Sequence, residues 1–454
     1  MLSQLVKLTQ GPSFLMMISM GLRIGGGMIV LPLALRVIPE AQMGLYYTFV
    51  SIAGLITLLD FGFAPTVSRN AGYAMGGALR LVAHGVPELR PESGPNILLL
   101  SSLTGAVSAY YRLLGLVAGL CLVFGGGYFV ANRLHATGLS VNLLGAWMLF
   151  AAAQTYTFSS GYWSNLLNGV GEVRRAAINA IISQICGLAV LSISLLLGLT
   201  IWSYGCSSLI SAIILHFAAW SSFRKICPKI PSEEHTMAVA KDIFRALWPM
   251  AWRQGLVLLG AFFIQRGSIL ICSAKLGLNE TAQYGLSVTL ISLVCQVSGI
   301  PIYVALPSIN RMRVSQDFVG IARLFLPRLY GGLGFAFIGM SALAWIGEDL
   351  LHLLRSHTTL LSPSALLLLG LVWLLEVHHS YYAMLVLTEN RNPFILPALL
   401  SGVAIFLIGW WLAGILGVWG LIIAQGAVQL ACNNWWPVYL GLRGIHLLPW
   451  ASRK

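Results

Sequence analysis

The sequence predicts an all-α polytopic membrane protein, with about 12 transmembrane helices in two six-helix lobes related by a parallel pseudo-twofold repeat. Three observations carry that prediction. Of the 454 residues, 57% are hydrophobic and 9% charged, and the mean hydropathy is +0.82, which places the chain among membrane proteins rather than soluble enzymes. Apolar stretches recur along the whole chain, each long enough as a helix to cross a hydrocarbon core of ~30 Å. Features of the first half also return in the second at a near-constant offset.

The first stretch, Ser13 to Leu35, is too long for a signal-peptide core and lacks an A-x-A-like cleavage site, so it reads as a retained helix. Eleven more spans follow, at 43–65, 113–131, 143–166, 177–201, 203–222, 248–272, 283–306, 327–346, 364–387, 394–415 and 418–440. An even number puts both termini on one side. That threading leaves 20 Lys and Arg in the termini and loops on the side of the termini, and only Arg36, Arg133, Lys275 and Arg355 on the other. By the positive-inside rule the termini are cytoplasmic. The net charge of +13 is therefore mostly a consequence of topology, and a nucleic-acid partner is not needed to account for it. The seven cysteines give no disulfide framework, because six fall in or near apolar spans and Cys227 lies in a basic loop.

Loops on the non-cytoplasmic side are short, which leaves no room there for a catalytic domain. Two cytoplasmic segments are longer, 70–112 and 223–247. The second is charged and bounded by proline, and reads as a linker (224–247) ending in an amphipathic surface helix between lobes 1–223 and 248–454. The halves align on four features. Arg23 matches Arg266, Glu40 matches Glu280, the Ala41 to Leu45 run matches Ala282 to Leu286, and Pro65 to Arg69 matches Pro307 to Arg311, at offsets of 240 to 243 residues. Six spans separate the copies, so they share one orientation.

At these residues the chain resembles a known family. The exit of the second span, LLDFGFAPTVSRNAGYAMGGA (Leu58 to Ala78), and the Q-x-G-L-Y entry at Gln42 to Tyr46, in a six-plus-six layout, resemble the O-antigen and polysaccharide-type flippases. These form a branch of the multidrug, oligosaccharidyl-lipid and polysaccharide exporter superfamily. The resemblance implies a transporter, not an enzyme. It would carry undecaprenyl-diphosphate-linked oligosaccharide from the cytoplasmic to the periplasmic leaflet of the bacterial inner membrane, for O-antigen or polysaccharide synthesis, by alternating access through a cationic cavity between two lobes. It also implies association with the polysaccharide polymerase machinery and no cofactor. The 70–92 insertion and the histidines of the tenth span lie outside the family pattern.

Charges within spans are the candidate site. Arg23 and Arg266 sit near mid-membrane, where a charge is costly enough that each should face a protein interior or a wet cavity. Both are guanidinium groups at matching repeat positions, suited to a diphosphate by their planar fork of donors. Arg253, nearer the cytoplasmic end of its span, is either a first contact on entry or an interfacial snorkeller. Glu376 lies 13 residues into the tenth span and must be protonated or paired with a cation such as Arg23 or Arg266. His379, three residues on, shares its face and gives the pair a titratable proton, so a proton or sodium ion is the expected coupling ion. Asp60 reads as a salt-bridge partner near the interface and as the second coupling candidate. Gly25, Gly26 and Gly27, with Pro32 one turn later, make the first span either the bending element or a close-packed one. No third or fourth ligand is spaced for zinc. A multidrug exporter would need an acidic cavity for cationic drugs, and three cations against two carboxylates argue for an anionic substrate. A polysaccharide polymerase or ligase would need a larger external loop than the one holding His352, Arg355 and His357.

Overall fold

The computed structural model describes residues 12–82, 87–88, 94–227, 245, 248, 252, 255–389 and 393–446, without the side chains of 12–14, 16, 17, 20, 23, 24, 432 and 433. Among these residues helices follow one another with no strand. They are α1 (Pro12–Val37), α2 in three pieces (Glu40–Gly54, Ile56–Leu59, Phe63–Met75), α3 (Ile97–Thr137), α4 (Leu143–Ser160, continued by Tyr162–Gly169), α5 (Val173–Leu196) and α6 (Trp202–Arg224). Then come α7 (Gly255–Lys275), α8 (Leu278–Val314), α9 (Phe318–Leu353), α10 (Pro363–Leu387), α11 (Ile395–Leu416) and α12 (Val418–Val428, a π-helical turn Gln429–Asn433, and Trp435–Gly444). Of these, α2, α3 and α5 to α11 are long and apolar enough to cross a membrane. The chain is a multi-pass membrane protein of twelve helical rods among the described residues, as its composition predicts. The linker expected at 224–247 lies almost wholly outside the described residues.

Helix α9, Phe318–Leu353, outruns its expected 327–346, and two further rods exceed their expected lengths for identifiable reasons. Helix α3 starts at Ile97 rather than at 113, because Asn96 accepts from the Leu99 backbone amide at 3.0 Å and satisfies an orphan donor of the first turn. Arg112 does not interrupt it: the guanidinium folds back and donates to Ser108 O at 3.3 Å. Much of the 70–112 segment is thus helix rather than loop. Helix α8 runs for 37 residues, past its expected end at 306, through Pro301 and Pro307. Its last turn carries Arg313, which donates to Gly444 O at 2.7 Å, to Thr388 Oγ1 at 3.2 Å and to Glu389 Oε1 at 3.3 Å. That guanidinium joins the ends of α8, α10 and α12.

By contact, the chain forms two compact units. The first comprises residues 1–38 and 52–258, the second 39–51 and 259–454. The first unit is built on one apolar core that includes Phe63, Tyr111, Tyr162, Trp163, Leu166 and Phe223. Cys227 belongs to the same core, and burial pushes its thiol up although Arg224 pulls the other way. It is a packing residue. The second unit takes in the start of α2 as a packed element. Gly44 is what permits this, since a Cβ there would run into Leu278 O, with Leu278 C only 2.7 Å away. Thr48 Oγ1 lies 2.8 Å from Ser273 Oγ, and Gln283 Nε2 donates to Glu40 Oε1 at 3.2 Å. On α8, Gly285 plays the part of Gly44, with the Tyr47 ring lying where its Cβ would be. The repeated Q-x-G-L motif therefore marks two glycines used for close helix approach.

Candidate functional site

In the first unit, the chemistry centres on a break in α2. Phe61 and Gly62 both have positive φ, +46° and +73°, which ends the helix and restarts it at Phe63. A left-handed phenylalanine is strained by about 1–3 kcal/mol and needs surroundings that hold it. Asp60 is one of them: its Oδ2 accepts from the Ala64 backbone amide at 3.2 Å, and its Oδ1 accepts a short hydrogen bond from the Tyr111 hydroxyl. Among the described residues, Asp60 is thus held by a tyrosine and a backbone amide. On α1, Gly26 packs against Leu188, whereas a Cβ at Gly25 or Gly27 would meet nothing within 4 Å. Pro32 lies inside the helix, which continues to Val37. The Arg23 backbone belongs to α1, but its side chain lies outside the described residues, and so does Arg253.

In the second unit, Arg266 sits on a π-helical turn, Phe263–Gly267, within α7. Such turns insert one residue into a helix and recur at functional sites. Arg266 is partly buried, and no carboxylate pairs with it among the described residues. It lies within electrostatic reach of the Tyr46 and Tyr47 hydroxyls.

A separate polar cluster surrounds Glu376 on α10. The side chain is largely buried, with Oε2 accepting a short hydrogen bond from Gln429 Nε2 on the π-helical turn of α12. Its Oε1 lies 3.7 Å from His379 Nε2. The structure brings together the two residues the three-residue spacing put on one face. On the other side of the imidazole, Nδ1 is 3.2 Å from Leu375 O. A carbonyl only accepts, so Nδ1 carries its hydrogen and Nε2 faces the carboxylate with a lone pair or a second proton. At 3.7 Å the two groups stand at ion-pair rather than hydrogen-bond distance. Next to it His378 Nδ1 lies 3.1 Å from Asn434 Oδ1. Sequence reasoning overlooked Gln429 and Asn434; the available signal was amides inside an apolar span, where each needs a polar partner.

Comparison with known proteins fixes the family. A family model described as polysaccharide biosynthesis protein matches residues 9–313. The chain belongs to that family. The resemblance read from Gln42 to Tyr46 and Leu58 to Ala78 is borne out, and both motifs lie inside the matched residues. Glu376 and His379 lie beyond them. A search of curated protein sequences finds none that matches.

Among solved structures, the chain is similar to the lipid II flippase MurJ in an inward closed conformation, with 12% identity over 95% of this chain and 87% of that one and a TM-score of 0.66. It is also similar to an inward-facing multidrug resistance MATE family transporter of the MOP superfamily, at 12% identity over 94% and 95% of the two chains and a TM-score of 0.62. The Vibrio cholerae MATE transporter VcmN matches at 13% identity over 98% of each chain, with a TM-score of 0.58. These likenesses establish the fold of MOP-superfamily transporters for this family member.

The Glu376 cluster makes a prediction about stability. Removing the Gln429 donor leaves a buried carboxylate oxygen short of a partner, which costs about 1–3 kcal/mol, whereas removing both partners is nearly neutral. Gln429→Leu should therefore lower the melting temperature of the purified protein, and Glu376→Leu combined with Gln429→Leu should restore most of the loss. Additive losses in the double variant would show that the two side chains do not depend on each other.

Proposed function

We propose that the protein is a flippase that moves undecaprenyl-diphosphate-linked oligosaccharide from the cytoplasmic to the periplasmic leaflet by alternating access through a cationic cavity. Membership of the polysaccharide biosynthesis family supplies the sugar side of this reading. The observation that carries the anionic side is Arg266, a partly buried residue in a membrane-spanning helix whose guanidinium no described carboxylate neutralises. A cationic drug has no use for such a group. A diphosphate does, because its oxygens accept charge-assisted hydrogen bonds from the fork of a guanidinium. Arg23 is the matching cation of the first repeat, and Arg253 is the contact on entry. The charge asymmetry of the loops supports cytoplasmic termini in a bacterial inner membrane, where a polysaccharide polymerase would receive the flipped substrate.

Replacing Arg266 or Arg23 with Ala is expected to abolish surface polysaccharide in cells that depend on this protein, while membrane levels of the protein stay normal. Replacement with Lys keeps the charge but loses the fork, and should retain part of the activity. Normal surface polysaccharide from the double Ala variant would contradict the reading.

Export of a polyanion from a cationic site also needs a step that resets the site. The proximity of Glu376 to His379, 3.7 Å apart, supports a proton-coupled reset, in which proton occupancy of this pair alternates with occupancy of the anion site. Glu376→Gln removes the carboxylate but keeps a group of the same shape. This variant is expected to bind substrate yet lose the dependence of transport on the proton gradient. A variant that slows like the parent when the gradient is collapsed would reduce Glu376 to a structural group and move the coupling to Asp60, to sodium or to downstream consumption of substrate.

A further inference from the structure

The ends of α7 and α11 meet at one edge of the second unit. Lys275, the last residue of α7, lays its ammonium over the Trp410 ring of α11, 4.6 Å from the centroid. Trp410 is itself stacked on Phe406, with the ring planes 24° apart. Gly414, one turn beyond Trp410, leaves room for the lysine, since a Cβ there would stand 3.3 Å from Lys275 Nζ and would meet no other atom within 4 Å. The ammonium therefore lies in a seat made by an indole face and a glycine, close to the end of α11 at Leu416.

That seat leaves hydrogen-bond donors over. An ammonium carries three N–H groups, and an aromatic face attracts its charge without accepting from all of them. Among the described residues Lys275 makes no hydrogen bond and no ion pair. Glu280, the acid nearest to it in sequence, turns its carboxylate back against Gly277. Beside the seat runs an apolar face: Leu400, Leu407, Trp411 and Ile415 share one side of α11 and are each 60–65% exposed. Trp410 and Gly414 lie along its edge. A side of a spanning helix that stays apolar and exposed for about four turns meets acyl chains, whereas the wall of a watery passage would carry polar groups. Adjacent tryptophans near a helix end mark the level of the lipid headgroups.

We propose that this edge of the second unit binds an anionic glycerophospholipid, whose phosphate accepts from the Lys275 ammonium and whose acyl chain lies along Leu400, Leu407 and Trp411. The charge selects the lipid class: the phosphate of a zwitterionic lipid is neutralised by the cation of its own headgroup, and that of phosphatidylglycerol is not. The proposal is independent of the transported substrate.

Native mass spectrometry of the purified full chain, titrated with phosphatidylglycerol or phosphatidylcholine, reads the affinity for the first lipid bound. The parent is expected to bind phosphatidylglycerol about fivefold more tightly than phosphatidylcholine. Lys275→Gln should erase that preference with phosphatidylcholine binding and melting temperature unchanged, because the side chain is exposed. Lys275→Arg should keep it, since a guanidinium also stacks on an indole. Gly414→Leu fills the seat without touching the charge, and should erase the preference as Lys275→Gln does. Equal binding of the two lipids by the parent, or a preference that survives both Lys275→Gln and Gly414→Leu, would overturn the proposal. Equal loss of both lipids in Lys275→Gln would assign the face to acyl chains alone and overturn the headgroup site. Displacement of phosphatidylglycerol by an equal concentration of inorganic phosphate would show a site for any phosphate, and a dimer that Gly414→Leu dissociates would give the face to a second copy of the chain; either would overturn the assignment to a phospholipid.

Discussion

A charge or hydrogen-bonding group inside the hydrocarbon layer must find its partner within the protein, since no water is there to serve. Most of the polar architecture of this chain follows from that constraint. Glu376 lies deep in α10 and is held by an amide from α12 and an imidazole from its own helix. Asp60 stabilises a broken helix by accepting from Tyr111 and from the Ala64 amide. Arg313 ends a 37-residue helix and is satisfied by three acceptors on two neighbouring segments, the ends of α10 and α12.

The two clusters of the second unit share a structural device. Arg266 and Gln429 both lie on π-helical turns, Phe263–Gly267 and Gln429–Asn433. One extra residue per turn rotates the following side chains relative to a regular α-helix and leaves a backbone carbonyl without its usual donor. The arrangement is less stable than the α-helix it replaces, and such turns tend to persist where a particular side-chain direction is useful. In the proposed flippase, an anion site at Arg266 and a coupling site at Glu376, whose partner Gln429 lies on such a turn, could each be re-aimed by a small change in helix register, as alternating access requires.

How much of this was legible beforehand depended on whether the signal was local. Spans announce themselves by apolar length, and twelve rods appear close to their expected places. The Glu376 and His379 pair was legible because three residues on a helix share a face. The repeat was legible because glycines of the Q-x-G-L motif are demanded by close packing, Gly44 against Leu278 and Gly285 against Tyr47. The start of α3 at Ile97 was missed because Arg112 and the Pro and Gly before the apolar run resemble a loop in any hydropathy window. The tyrosine partner of Asp60 lies 51 residues away, and Gln429 reaches Glu376 across 53, distances at which residue patterns carry no information. The packing of residues 39–51 with the second unit, and the π-helical turns, are likewise tertiary outcomes.

The central claim is that the protein moves an anionic, lipid-linked sugar across a membrane. It is tested most directly by reconstituting the full chain into sealed vesicles and following the leaflet of undecaprenyl-diphosphate-linked N-acetylglucosamine with a membrane-impermeant galactosyltransferase, under an imposed proton gradient. The account predicts that protein-containing vesicles transfer the lipid between leaflets well above the rate in empty vesicles, and that the lipophilic cation tetraphenylphosphonium is not exported. Transfer of the lipid at the empty-vesicle rate, together with export of the cation, would contradict it and identify a multidrug exporter instead.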